Sequence, residues 1–280
     1  MRRNAAARLH PFMIVDWVYS HPTWLWGSIL LVGLTGAACV GLIIFHRLVH
    51  VGVRRAHNDL AGFTFATISV VYAVLLAFIA VATWEAFSNA ERVVDEEAGY
   101  IGNLYRDSAG LPQPIGGNMR DLLSQYTNMV IRQEWPVQQQ GEIPSAAWAP
   151  LSKLHQELVT FQPANAGQQV VEAEFLHTLN ELYKARETRL AAAGGHIPQV
   201  IWWIIFLSGA LTTGFTYLFG FANFRMHLAM TSAVAASLAL VVVLIVALDW
   251  PFRGDLSVGP DAFVEVQQGW NVGDQISEAR

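Results

Sequence analysis

Apolar and polar positions divide this chain into two pairs of long hydrophobic runs around a polar insert. The runs cover Trp24–Phe45, Leu60–Trp84, Ile197–Phe224 and Met226–Leu248, and none contains Asp, Glu, Lys or Arg. Each is long enough for a helix to cross a hydrocarbon core, which takes about 20 residues at ~1.5 Å rise. The pattern predicts an all-α integral membrane protein with four transmembrane helices and a helical cytoplasmic domain inserted between helices two and three. In outline, 1–23 is an N-terminal interfacial segment, 24–84 the first hairpin, 85–196 the helical domain, 197–248 the second hairpin and 249–280 a cytoplasmic C-terminal segment. The linker His46–Asp59 is short, and spans three and four are joined by a residue or two around Arg225.

The insert carries a helical period. Glu85–Ser108 continues the register of span two without a breaker, until Leu111-Pro112-Gln113-Pro114 stops it. Met119, Leu122, Leu123, Tyr126, Val130 and Ile131 mark the next helix, which Pro136 is expected to end. A short helix over Leu151–Val159 precedes a long one over Ala166–Ala193. In the latter, Val171, Phe175, Leu179, Leu182, Tyr183 and Leu190 form an apolar face. Gly194-Gly195 reads as a hinge into span three, and the polar tail after Val266 as disordered. Gly33, Ala37 and Gly41 in span one, and Ala229, Ala233 and Ser237 in span four, recur at steps of four. Small residues so spaced let helices approach closely in lipid.

Composition narrows the function. Only 14% of the 280 residues are charged, and the net charge of −5 comes with no basic stripe for nucleic acid. The single cysteine, Cys39, rules out an intrachain disulfide. Arg2, Arg3 and Arg8 resemble the start of a signal peptide, but the run that follows begins late and has full spanning length, so it is read as retained. Trp17, Tyr19, Trp24 and Trp26 are interface formers. Lys and Arg near the span ends number nine on the side of the termini and insert against four on the other, which favours a cytoplasmic insert and termini.

Chemistry-bearing positions lie along span two. Thr64, Thr67, Val71, Leu75, Phe78, Ala82 and Glu85 share one helical stripe. In a ring of identical subunits this stripe supplies hydroxyls, an apolar constriction and a carboxylate ring that favours cations. The alternative is ordinary packing, with the Thr hydroxyls bonded to their own backbone. Glu91, Asp95, Glu96 and Glu97 follow Glu85 with Arg92 as the one base among them, a cytoplasmic acidic mouth or a solvated helix face. His46 and His50 have a zinc-compatible spacing, with His57 and Asp59 nearby, but no strong third ligand. They read as interfacial histidines, and neither metal nor cofactor is expected. No nucleophile elbow, phosphate loop or Cys pair marks an enzyme.

Several strings carry a family resemblance: His57-Asn58-Asp59-Leu60-Ala61-Gly62-Phe63, Val71-Tyr72-Ala73-Val74-Leu75-Leu76-Ala77-Phe78, Trp84-Glu85, Glu96-Glu97-Ala98, Leu104-Tyr105-Arg106, Gly110-Leu111-Pro112, Glu134-Trp135-Pro136 and Leu248-Asp249-Trp250-Pro251-Phe252. In this order, over about Trp17–Phe263, they resemble the bacterial bestrophin-like membrane proteins, a family of unknown function that is distantly similar to bestrophin ion channels. The resemblance implies a homo-oligomer, with a pentamer as the natural number, in the bacterial inner membrane. It also implies both termini in the cytoplasm and inorganic ions as cargo. The bestrophin calcium clasp needs consecutive acids after the last span, whereas here Asp249, Asp255 and Asp261 are widely spaced. The competing expectation is a non-conducting scaffold or sensor, whose apolar face on Ala166–Ala193 would dock a partner.

Overall fold

The computed structural model describes residues 9–195 and 197–278, with side chains described over 15–195 and 197–270. Arg2, Arg3 and Arg8, which enter the orientation argument, lie outside the described residues. The described residues form α1 (Leu9–Ser20), α2 (Thr23–Leu48), α3 (Val51–Arg55), α4 (Asn58–Asp107), α5 (Ile115–Met129), α6 (Trp135–Gln139), α7 (Trp148–Thr160), α8 (Ala166–Ala191), α9 (Gln199–Thr216), α10 (Phe224–Asp249) and α11 (Asp261–Glu278), and no strand. Four of the helices, α2, α4, α9 and α10, are long and apolar enough to span a membrane.

The chain divides into two compact units. The first comprises Met1–Ala86, His196–Trp250 and Gly254–Leu256, and holds the spanning segments. Its core is Tyr72 and Leu76 of α4, Ile205 of α9, and Val242 and Ile245 of α10. Tyr72 donates its hydroxyl to the Ile205 carbonyl at 2.9 Å, so a phenol is satisfied where no water would serve it. α2 and α10 are the most extensively packed pair. The row that α10 buries is Thr231, Ala235 and Ala239, while the predicted row of Ala229, Ala233 and Ser237 is exposed. On α2, Gly33 has open space beside it, whereas Gly41 makes room for a side chain and not for a helix backbone: a Cβ there would lie 2.6 Å from the Tyr217 hydroxyl.

The link between α9 and α10 is longer than the predicted residue or two, since α9 stops at Thr216. The chain then turns through 217–223, where the Asn58 amide brackets Gly220, accepting from its N–H at 2.8 Å and donating to its carbonyl at 3.3 Å. Gly220 has no room for a side chain, because a Cβ would lie 2.4 Å from the Arg55 amide nitrogen. Asn223 then caps α10 by accepting from the Arg225 and Met226 amides. Two glycine and asparagine positions inside an apolar run thus make the turn that hydrophobicity alone hides.

The second unit comprises Phe87–Gly195, Pro251–Arg253 and Ser257–Arg280. Its core gathers Ile101 and Leu104 of α4, Met119 and Tyr126 of α5, Leu151 and Leu154 of α7, Phe175, Leu179 and Leu182 of α8, and Phe263 of α11. Three expectations change here. Pro136 does not end a helix; it sits in the first turn of α6, where its missing N–H is no loss, after a π-helical turn over Val130–Glu134. The tail is helical rather than disordered, because Phe263, Val266 and Trp270 put an apolar face against the core. The apolar face of α8 is packed inside the unit, so the surface on which a docking scaffold would rely is not there.

Candidate functional site

Within the first unit, α4 turns Tyr72, Leu76 and Thr83 inward. At about 100° per residue, the predicted stripe centres about 120° away from that buried face. Val71 is 67% exposed and Phe78 72%. Thr67, Ala82 and Glu85 are exposed, while Thr64 is half-buried. Leu75 departs from the stripe, since it is half-buried against the core. Val70 and Val74, both exposed, lie closer to the side opposite the core, and with Phe78 they step by four. The Thr64 and Thr67 hydroxyls donate to the Leu60 and Phe63 carbonyls at 2.9 and 3.1 Å, as threonines do in an apolar helix. Each oxygen keeps lone pairs able to accept a further bond.

The predicted acidic set separates. Glu91, Asp95 and Glu96 are exposed, and Glu96 pairs with Arg92 one turn away. Glu97 is fully buried and belongs to an ion network the spacing did not suggest. Arg189 donates to it from Nε at 2.6 Å and from Nη2 at 3.1 Å, and Tyr126 donates its hydroxyl at 2.5 Å. Arg186 grips Glu134 with two bonds of 2.7 and 2.6 Å, and the Ala147 amide adds a third at 2.8 Å. Arg189 also reaches Gln138 at 2.6 Å and Glu134 at 3.3 Å. Two guanidiniums and two carboxylates therefore close on each other, each side chain fully buried. Trp148 lies 4.7 Å under the Arg186 guanidinium and Trp135 5.4 Å under that of Arg189.

The surroundings set the ionisation. Burial opposes the charge on Glu134, but the hydrogen bonds from Arg186 and Ala147 outweigh it and hold the carboxyl below the usual range. Burial, reinforced by Glu97, pushes the Tyr126 phenol well above its ordinary value. Burial works against Arg189 too, yet Glu97 keeps it firmly charged. Because the carboxyl of Glu134 is lowered on folding, its stabilisation is complete above the ordinary value of 4.5 and is lost as pH falls through the lower folded value. The thermal midpoint should thus fall on acidification below about pH 4.5. Glu134→Gln should start lower at neutral pH and show a shallower acid slope, as read by circular dichroism at a pH series.

The histidines near the end of α2 do not converge. Arg54, only 4% exposed, donates to His46 Nδ1 at 2.7 Å and to the Tyr217 and Phe219 carbonyls at 3.1 and 3.3 Å. His57 Nδ1 instead contacts the Val53 carbonyl at 3.0 Å. Among the described residues no three His, Cys, Asp or Glu side chains are grouped to hold a metal. Two of the acids at and just after the end of the last span hold backbone amides: Asp249 accepts from the Ile197 amide at 2.9 Å, and Asp255 from the Thr23 amide at the start of α2 at 2.7 Å.

Comparison with known proteins follows this architecture. The chain matches the bestrophin-like domain family over residues 32–263. It is similar to crystal structures of two single-substitution variants of a bacterial bestrophin homologue from Klebsiella pneumoniae. Each has a TM-score of 0.63 at 13% identity, and the match covers 85% of this chain and 96% and 98% of theirs. A variant of a protein described as a membrane protein aligns with a TM-score of 0.60 at 13% identity, over 93% of this chain and 97% of that one. These likenesses show a shared fold. No curated protein matches the chain.

Proposed function

The chain belongs to the bestrophin-like family, and from that premise we propose that it is an ion channel of identical subunits, with α4 lining the pore and cations favoured. One observation carries the reading. A spanning helix buries one face in its own unit and leaves a continuous apolar row, ending in the exposed carboxylate of Glu85, on the side away from it. Around a symmetry axis, Thr67 would supply hydroxyl oxygens to an ion shedding water. Val71 and Phe78, together with Val74 in place of Leu75, would form a neck that closes by dewetting. Glu85 would form a carboxylate ring, and Glu91, Asp95 and Glu96 would raise the cation concentration near it. A pentamer in the bacterial inner membrane, with insert and termini cytoplasmic, completes the proposal.

The test is flux through the purified full-length protein in liposomes under K⁺, Na⁺ and Cl⁻ gradients. Glu85→Gln is expected to lower the cation-to-chloride permeability ratio about fivefold, the weight of roughly 1 kcal/mol of Coulomb attraction. An intact oligomer that passes no ion in wild type or variant would sink the channel reading. Flux with an unchanged ratio in Glu85→Gln would remove only the role of that carboxylate.

A further inference from the structure

Inside the first unit lies a cleft of about 250 Å³ to which all four spanning helices contribute. Its space exists because the wall is built from small residues: Ala37 and Ala38 of α2, Gly209 and Ala210 of α9, Ala235 and Ala239 of α10. Tyr72, Ile205, Ala239 and Val242 form a buried floor. Ala37, Phe206 and Ala210 are exposed, so the mouth opens between α2 and α9 on the outer surface of the spanning helices. Both phenols in the wall already donate inward, Tyr72 to the Ile205 carbonyl and Tyr217 to the Ala38 carbonyl, each at 2.9 Å. Gly209 keeps this arrangement possible, since a Cβ there would lie 2.9 Å from the Tyr72 hydroxyl.

We infer that this cleft is a binding site for an alkyl chain entering sideways from the bilayer. Water is a poor occupant, because it needs two to four polar partners and the wall is mostly carbon: its polar side chains are Tyr72, Tyr217 and Thr213, and both phenols have already given their protons to helix carbonyls. An empty cleft is also poor, because its lining carbons would forfeit dispersion contacts that hydrocarbon restores. The medium at the mouth of a membrane-spanning bundle is itself hydrocarbon. The chain would come from a phospholipid or from a free fatty acid; both present the same methylenes to the same wall. Through Tyr72 the occupant would touch α4 on its core face. The inference rests on the spanning assignment and on the α2–α9 mouth facing lipid in the assembled protein, and it stands whether or not the protein conducts.

The experiment is photolabelling of the full-length protein in nanodiscs, followed by mass spectrometry of the adducts. One arm carries a phosphatidylcholine with a diazirine in its acyl chain; the other carries plain lipid and a diazirine fatty acid. Adducts should concentrate at Ile205, Phe206 and Leu238, above those at Trp203 and Leu207, which are exposed on the outside of α9. The double variant Ala37→Leu/Ala210→Leu fills the mouth from exposed positions, so it leaves the buried floor untouched. It should cut cleft labelling at least tenfold, since the two leucines add three carbons each and denying the chain the space of even two methylenes costs about that much, with Trp203 and Leu207 unchanged. Labelling by the phospholipid identifies bilayer lipid as the occupant, and labelling by the fatty acid alone identifies a free amphiphile. Cleft labelling no stronger than at Leu207 in both arms would overturn the inference, as would undiminished labelling in a double variant of wild-type helicity. If the double variant misfolds, the single Ala210→Leu, at the same mouth, serves for the comparison.

Discussion

Arg189→Met is expected to cost the protein about 3–5 kcal/mol of stability, the usual consequence of removing one partner from a buried ion pair. The cost does not come from lost attraction alone. Glu97, fully buried, would keep its carboxylate with only the Tyr126 hydroxyl at 2.5 Å to replace two guanidinium bonds. Gln138 would lose its 2.6 Å bond at the same time. Methionine roughly matches the stem of arginine, so packing against Trp135 and Phe263 is largely kept and the loss reads out charge. The measurement is denaturant unfolding of the purified protein followed by tryptophan fluorescence. Arg189→Met with Glu97→Gln should recover part of the loss, since the second change removes the orphaned charge. A single variant as stable as wild type would show that the network contributes nothing, and a double variant no better than the single would assign the loss to packing.

Phe78→Ala should raise ion flux about tenfold, the effect of lowering a dewetting barrier by roughly 1.4 kcal/mol. The ring is 72% exposed and packs against nothing in the core of its own unit, so its removal leaves the fold standing. That separates it from Leu76, whose truncation would open the core. The pair makes a paired liposome assay informative: Phe78→Ala gains flux at wild-type stability, and Leu76→Ala loses stability. If Phe78→Ala conducts no better than wild type, the neck lies elsewhere on α4 or on another helix.

How far the sequence could be read depended on what each signal measures. Charge-free runs measure hydrocarbon compatibility, so the four spans were legible, but a run cannot show where a helix breaks inside it. Gly220 and Asn223 carried that information and were swallowed by the apolar average of Ile197–Phe224. The stripe on α4 was legible only as a period. Which side of the helix meets its neighbours depends on Ile205 and Val242, far away in sequence, so the period alone does not show that Leu75 leans half-buried on the core while Val74 is exposed. The tally of nine Lys and Arg on the side of the termini and insert takes no account of burial, and it includes Arg186 and Arg189. Yet they sit three residues apart between Leu182 and Leu190, inside the apolar row of α8, and arginines in that position must be paired. Glu134 beside Trp135-Pro136 was the other half of the signal. The α11 helix was missed because Gly269 and its polar neighbours lowered the average, although Phe263, Val266 and Trp270 kept the period.

The four-charge knot has a bearing on the surroundings in which such a protein works. Ion pairs at a surface weaken as electrolyte rises, with a screening length of about 8 Å near physiological ionic strength. The side chains of Arg186, Arg189, Glu97 and Glu134 are all closed to solvent, so mobile ions cannot come between them. Their charges also sum to zero, leaving no net field for a counterion to answer. The attraction inside this knot is therefore one that dilute and concentrated brine leave alike, unlike the exposed Arg92–Glu96 pair of the same unit.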